Sequence, residues 1–356
     1  MSVRKWLIVW IFSTVTFVLL IGIFNFVTDP FQQYHRSAQH TAYFDTEKER
    51  YLNPGLAKNY PYDSILIGSS MTENFLISDL KTVMQNPIKF CLSGGSAYEI
   101  KVTLETALTA NKNIKTVLIG LDFFALSGDK LRMRFGPDSL PMYLYDDNKL
   151  NDYKYLLIAD TMKESIKSYA RPFLFGDDVL LNYENMYQWE HLAVDEFSQE
   201  SVLDDWHERN KKINKLFVKN DWNFVKLQAS YDFNIASIVR QYPNVDFVIY
   251  FPPYSVLTYV DWKNKKIFED IIATKKYIAS SLSDYQNLQL YDFQNDSNIT
   301  TNLDLYKDIF HHRQKINSFI TQMISQKNTN YKVDINTYNK SIEKFDTYVI
   351  NSKSNY

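Results

Sequence analysis

The chain has 356 residues, a formal net charge of -2 and a 45% hydrophobic share with 22% charged residues, which excludes wholesale disorder and a polytopic membrane protein. Near-neutral charge leaves no global basic surface for nucleic acid, and a single cysteine, Cys91, excludes an intrachain disulfide and any multi-cysteine zinc site. The composition is odd in one respect: 26 Tyr and 24 Phe stand against 9 Gly.

In chain order, the first feature is the uncharged run from Trp6 to Thr28. At about 1.5 Å per helical residue it reaches roughly 34 Å, enough to cross a hydrocarbon core of about 30 Å. Arg4 and Lys5 precede the run and Asp29-Pro30 follows, so the positive-inside rule puts the N-terminus in the cytoplasm and the remainder outside. A cleaved signal peptide is the other reading; the run is longer than a signal core and no small-x-small site follows it. Residues 29–62 are polar and aromatic, with Asn53-Pro54-Gly55 and Tyr60-Pro61-Tyr62 predicted as turns.

Short apolar runs then recur at 64–67, 89–92, 116–119, 247–251 and 288–291, the pattern of strands buried on both faces of a parallel sheet. Between them, Ile100, Leu104, Ala107 and Leu108 share one helical face, as do Ile316, Phe319, Ile320, Met323 and Ile324. The alternation predicts a doubly wound α/β sheet, interrupted from about 129 to 235 by a mostly helical insertion on one side of the site. A polar tail follows from about 327 to 356, with a helix expected around 335–348. Ligands in such sheets bind outside the carboxyl ends of the strands, so the residues just after each run carry the functional expectation.

Those residues are distinctive in order. Gly68-Ser69-Ser70 follows the first run, putting a serine hydroxyl at a helix N-terminus. Ser93-Gly94-Gly95-Ser96 follows the second, where small residues leave backbone N–H groups free to approach an oxyanion. Gly120-Leu121-Asp122 follows the third, Pro252-Pro253-Tyr254-Ser255 the fourth, and Asp308-Ile309-Phe310-His311-His312 lies after the fifth. An Asp three before a His occurs twice, at Asp204/His207 and Asp308/His311; the first pair falls in the acidic insertion, where a solvated face is the simpler reading.

A serine after strand one, glycines after strand two and Asp-x-x-His after the last strand resemble the SGNH/GDSL hydrolase superfamily over roughly residues 60–326. The resemblance implies a flavodoxin-like, SGNH-type sheet, with Ser70 as nucleophile, His311 as its base, Asp308 orienting the imidazole, and the Ser70 and Gly94 amides in the oxyanion hole. Ser69 stands where that family's first block carries Asp, and Asp122 where its third block carries an oxyanion-donating Asn. An ionised Asp122 there would repel the tetrahedral intermediate, so it is protonated, or turned away, or the efficiency or chemistry differs. With the anchor, the layout is similar to the DltD and AlgJ type of cell-envelope protein. That implies O-acylation, with acetyl or alanyl groups, of an envelope or exported polysaccharide beside a membrane-bound O-acyltransferase.

Alternatives remain within the site: Ser69 for Ser70, and His312 for His311, with block register and the Asp at minus three favouring Ser70 and His311. Cys91, inside a strand run, reads as a buried thiol. His35, His40 and His191 have no partner at ligand spacing, so no metal is expected, and Gly94-Gly95 lacks the pattern of a dinucleotide site; no cofactor is expected. Tyr183, Tyr187 and Trp189 pack the insertion onto the sheet or stack on sugar rings. The expected organisation is therefore an anchor at 1–28 and an extracytoplasmic α/β domain at 29–356, either an enzyme or a non-catalytic scaffold that binds glycan.

Overall fold

A computed structural model of the chain describes residues 2–36, 48–175, 183–184, 186–212 and 219–353. In chain order the principal elements are α1 (Val3–Thr28), α2 (Glu49–Asn59), β1 (Ser64–Gly68), β2 (Pro87–Cys91), α3 (Ala97–Ala110), β3 (Thr116–Gly120), α4 (Tyr153–Leu157) and α5 (Ala159–Phe175). They continue with α6 (Gln199–Lys212), α7 (Phe224–Tyr231), β4 (Asp246–Phe251), α8 (Val256–Asn264), α9 (Phe268–Ser280), β5 (Leu288–Asp292), α10 (Gln314–Ser325) and α11 (Tyr338–Lys353).

The five predicted apolar runs are five parallel strands in the order β2-β1-β3-β4-β5, the flavodoxin-like arrangement. Successive strand residues point to opposite faces, and in β1 and β2 every one is buried, so helices must cover both sides. Strand order reverses between β1 and β3, whose ends meet in register at Gly68 and Gly120. That reversal opens a crevice at the carboxyl ends, and it is where the serine block emerges. The helical insertion between β3 and β4 holds α4 to α7.

One local expectation needs correction. Asn53-Pro54-Gly55 is not a turn; it lies inside α2. A helical proline removes the hydrogen bond to the carbonyl four residues back, here that of Arg50. The Tyr145 hydroxyl takes that carbonyl instead, at 2.7 Å, so the helix continues at little cost. Gly55 is required because a Cβ there would lie 2.3 Å from the Phe31 carbonyl oxygen of the crossing chain. The helix expected near 335–348 is α11, whose Tyr338, Ile342, Phe345 and Val349 are buried against α8 and α9, and the Tyr338 hydroxyl donates to Asp292 at 2.7 Å.

The aromatic excess has a structural use. Tyr145, Tyr155, Tyr187, Tyr254, Tyr306 and Tyr338 are buried, and each phenol donates to a distant carbonyl or carboxylate. A tyrosine buries a large ring and still satisfies a polar group across the layer, so it ties loops to the sheet without leaving a buried donor unpaired.

Candidate active site

The turn after β1 is a single tight helical turn, Ser70–Thr72, capped by Ser69, whose Oγ accepts from the Met71 N–H at 3.1 Å. The Thr72 hydroxyl donates to the Ser69 carbonyl at 2.7 Å, while its methyl fills the space above Gly68 and Gly120. A Cβ at either glycine would lie 2.6 Å from that methyl, so the paired glycines are what let the turn sit down on the strand ends. Below it, the buried Lys89 ammonium donates to the carbonyls of Glu73 at 2.7 Å and Phe75 at 2.6 Å. Burial pushes the Lys89 pKa down to about 8.

Ser70 Oγ lies 2.8 Å from His311 Nε2, and His311 Nδ1 lies 2.6 Å from Asp308 Oδ2. Asp308 also uses Oδ1 to accept from the backbone N–H groups of Phe310 at 2.8 Å and His311 at 2.9 Å, which fixes the loop after β5 around its own carboxylate. Because Asp308 accepts from Nδ1–H, Nε2 is the acceptor for the Ser70 hydroxyl. Burial alone would raise the Asp308 pKa, but the facing imidazole and the two amides outweigh it and hold the carboxyl well below the usual range. Burial likewise opposes charging of His311, and the nearby carboxylates, Asp308 foremost, outweigh it and raise its pKa.

These groups line a cavity of about 560 Å³ together with Gly94, Arg134 and Trp189. Gly94 sits at φ +59°, a conformation glycine adopts freely. Among the described residues, neither the Ser70 nor the Gly94 backbone N–H has a protein acceptor, so both are free to serve an oxyanion. The loop carrying Gly94 is held from behind. Arg50 donates to Glu49, to Glu99 and to the Ser93 carbonyl, Glu49 accepts the Ser93 N–H at 2.8 Å, and Glu99 completes a capping box with Ser96.

Asp122, expected among the oxyanion and substrate-binding residues, does not line the cavity. Its carboxylate is buried and accepts from the hydroxyls of Ser69 and Tyr254, joining the ends of β1, β3 and β4. The departures at 69 and 122, separate in the sequence, are hydrogen-bonded to each other. Burial raises the Asp122 pKa to about 6, against the pull of both hydroxyls. The carboxylate is engaged by these two hydroxyls and does not reach the cavity.

Of the alternatives, Ser69 is fully occupied by Met71 and Asp122, and His312 is buried with its pKa lowered to about 4 by burial. Cys91 is buried, accepts from the Thr72 hydroxyl at 3.3 Å, and has its pKa raised to about 12 by burial. Asp204 and His207 lie on α6 and border a separate surface hollow. Tyr183 and Tyr187 bond to Pro87 and Asn53 as packing groups, whereas Trp189 sets its ring edge-on to His311 at 5.5 Å between centroids. His40 lies outside the described residues. Among the described residues no cluster of three or more His, Cys, Asp or Glu is placed to hold a metal.

Sequence reasoning missed Glu73. It is buried, lines the cavity, and its Oε1 has no hydrogen-bond partner among the described residues. Burial raises its pKa to about 7, while His311 and Lys89 pull it down. The signal was its place three residues after Ser70 in the same turn. Tyr254 stood in the block after the fourth run, but nothing in the sequence pointed to its bond to Asp122.

No family description matches the sequence, and no curated protein matches it. A solved structure from Streptococcus pneumonia, provisionally described as a platelet activating factor, is similar at 10% identity and a TM-score of 0.38. The likeness covers 81% of this chain and 93% of that one, and is too slight to bear on function.

Proposed function

We propose that the protein is a membrane-anchored, serine-dependent acyltransferase or esterase acting on O-acyl groups, acetyl or alanyl, of a cell-envelope or exported polysaccharide. The observation that carries this reading is the relay Ser70–His311–Asp308, with 2.8 and 2.6 Å links, on the floor of a cavity at the strand ends. Ser70 Oγ attacks the acyl carbonyl as its proton passes to His311 Nε2, and Asp308 holds the resulting imidazolium. The negative oxygen is met by the Ser70 and Gly94 amides, and His311 returns the proton to the departing hydroxyl. A sugar hydroxyl or water then takes the acyl group from Ser70 by the reverse steps.

The order of the blocks supports an SGNH-type assignment. The helix Val3–Thr28, 26 residues and apolar throughout its central window, supports an anchor. Arg4 and Lys5 support a cytoplasmic N-terminus with the domain on the far side, and the partner in this reading is a membrane-bound O-acyltransferase. A second reading, a glycan-binding scaffold, is favoured by one observation: Asp122 stands where the family carries a side-chain donor and does not line the cavity.

A fluorophosphonate probe on the full chain in detergent separates the two. We expect labelling at Ser70, none in Ser70→Ala, and loss of polymer acylation in cells carrying that variant. A chain never labelled at Ser70, with acylation unchanged in Ser70→Ala, overturns the enzyme in favour of the scaffold.

A further inference from the structure

The junction between α1 and the domain contains no slack. Asp29 ends α1 in the left-handed region, at φ 35°, and its carboxylate accepts the backbone N–H groups of Gln33, Tyr34 and His35 and the Tyr155 hydroxyl. Within α1 itself, Asn25 donates to the Leu156 carbonyl at 2.8 Å and Thr28 to the Ser165 hydroxyl at 2.7 Å. Leu157 meets α1 at Gly22, where a Cβ would lie 3.9 Å from its Cδ2, and the Phe24 and Tyr169 rings meet edge to face at 6.4 Å. The α4–α5 hairpin therefore runs back along the last two turns of α1.

The hairpin leaves large apolar side chains uncovered. Thr161, Glu164 and Ser165 of α5 are buried, while Ile166 and Tyr169 are 51% and 55% exposed. On α4 and just before it, Leu150, Tyr153 and Leu157 are exposed at 86%, 57% and 46%. A helix on a water-facing surface buries its apolar side; α5 instead buries polar residues and leaves Ile166 and Tyr169 uncovered among its charges. The charges exposed beside these residues include Lys149, Lys154, Asp160, Lys163 and Lys167, mostly cationic and suited to headgroups.

We infer that the α4–α5 hairpin, through Leu150, Tyr153, Leu157, Ile166 and Tyr169, is a second membrane contact that lies in the interface of the outer leaflet. The inference rests on the reading of α1 as a membrane span, and commits to lipid as the occupant. Gly22 is six residues from the end of α1, roughly 9 Å along the helix axis. Counted from Trp6, where the uncharged run begins, a hydrocarbon core of about 30 Å takes about 20 residues and ends near Asn25, so Leu157, at Gly22, lies about 5 Å inside the boundary between headgroups and acyl chains. That depth is the one at which interfacial helices bury their apolar side. The contact fixes the rotation of the domain about α1 as well as its height.

The test is nitroxide accessibility in full-length protein reconstituted into phosphatidylglycerol/phosphatidylethanolamine liposomes. Leu157→Cys, Ile166→Cys and Tyr169→Cys carry the label; Cys91 is buried and stays in place. Val18→Cys in α1 is the lipid reference and Val225→Cys, 72% exposed on α7, the aqueous one. Circular dichroism confirms that each labelled protein is folded. We expect oxygen to reach the three hairpin labels better than a nickel chelate does, as at Val18, with the opposite order at Val225. Hairpin labels that behave like Val225 while Val18 reads as lipid overturn the hairpin contact and leave the anchor standing. Labels shielded from both reagents also overturn it, because protein and not lipid then covers the hairpin. A Val18 label that reads as water overturns both the anchor and the contact.

Discussion

The chain contains the same four-residue pattern twice, Asp204-x-x-His207 and Asp308-x-x-His311, and the structure uses only one of them as a hydrogen-bonded pair. On α6 the spacing sets two side chains on one regular helical face, with nothing to turn them toward each other. In the loop after β5, Asp308 first binds two amides of its own turn through Oδ1, which leaves Oδ2 aimed at the imidazole. The lesson is that spacing supplies the partners, and an irregular backbone closed on its own carboxylate supplies the orientation.

The contrast can be broken hardest at Asp308. Asp308→Asn keeps the shape but favours the wrong imidazole tautomer, and we expect kcat for a chromogenic acetyl ester to fall about 10⁴-fold; a fall under tenfold would mean that Asp308 does not orient the His311 imidazole. Next comes the support behind Gly94. Arg50→Met leaves Glu49 and Glu99 buried without their cation, and we expect a stability loss of about 3–5 kcal/mol by thermal unfolding. A loosened oxyanion loop should also cost about 10²-fold in kcat.

The pH profile sharpens the comparison further. His311 must be neutral to take the Ser70 proton, and the surrounding carboxylates raise its pKa, so activity falls as the medium becomes acidic. Glu73→Gln removes one of the carboxylates that favour the imidazolium. The sign is then fixed: the acid limb of kcat/KM moves to lower pH, while the rate at alkaline pH stays as it was. A limb that does not move would show Glu73 to be electrostatically silent. The smallest effect belongs to the other pair: Asp204→Asn and His207→Ala should leave the rate unchanged and stability within about 0.5 kcal/mol.

The strands were readable because both their faces are buried, so each appears as a continuous apolar run; β1, β3 and β5 start where the runs do. The helix from Ala97 was readable from the spacing of Ile100, Leu104, Ala107 and Leu108. The blocks at the strand ends followed from the topology, and the structure brings Ser70, His311 and Asp308 together there. What stayed hidden depends on distant partners. Pro54 reads as a turn until Tyr145 is seen to satisfy the carbonyl it strands. Ser69 and Asp122 read as two separate defects until their hydroxyl and carboxylate are found together. Lys89 sits in an apolar run, and only the turn above it explains a buried ammonium.

The hydrogen-bonded knot at Asp29 has a mechanical consequence. An apolar helix longer than the hydrocarbon it crosses relieves the mismatch by tilting. A flexible tether would absorb that tilt; the Asp29 knot, gripping three amides and a phenol, passes it on to the domain. On the proposed membrane placement, a thinner bilayer would swing the mouth of the cavity, so local membrane thickness would set the direction from which Ser70 is reached.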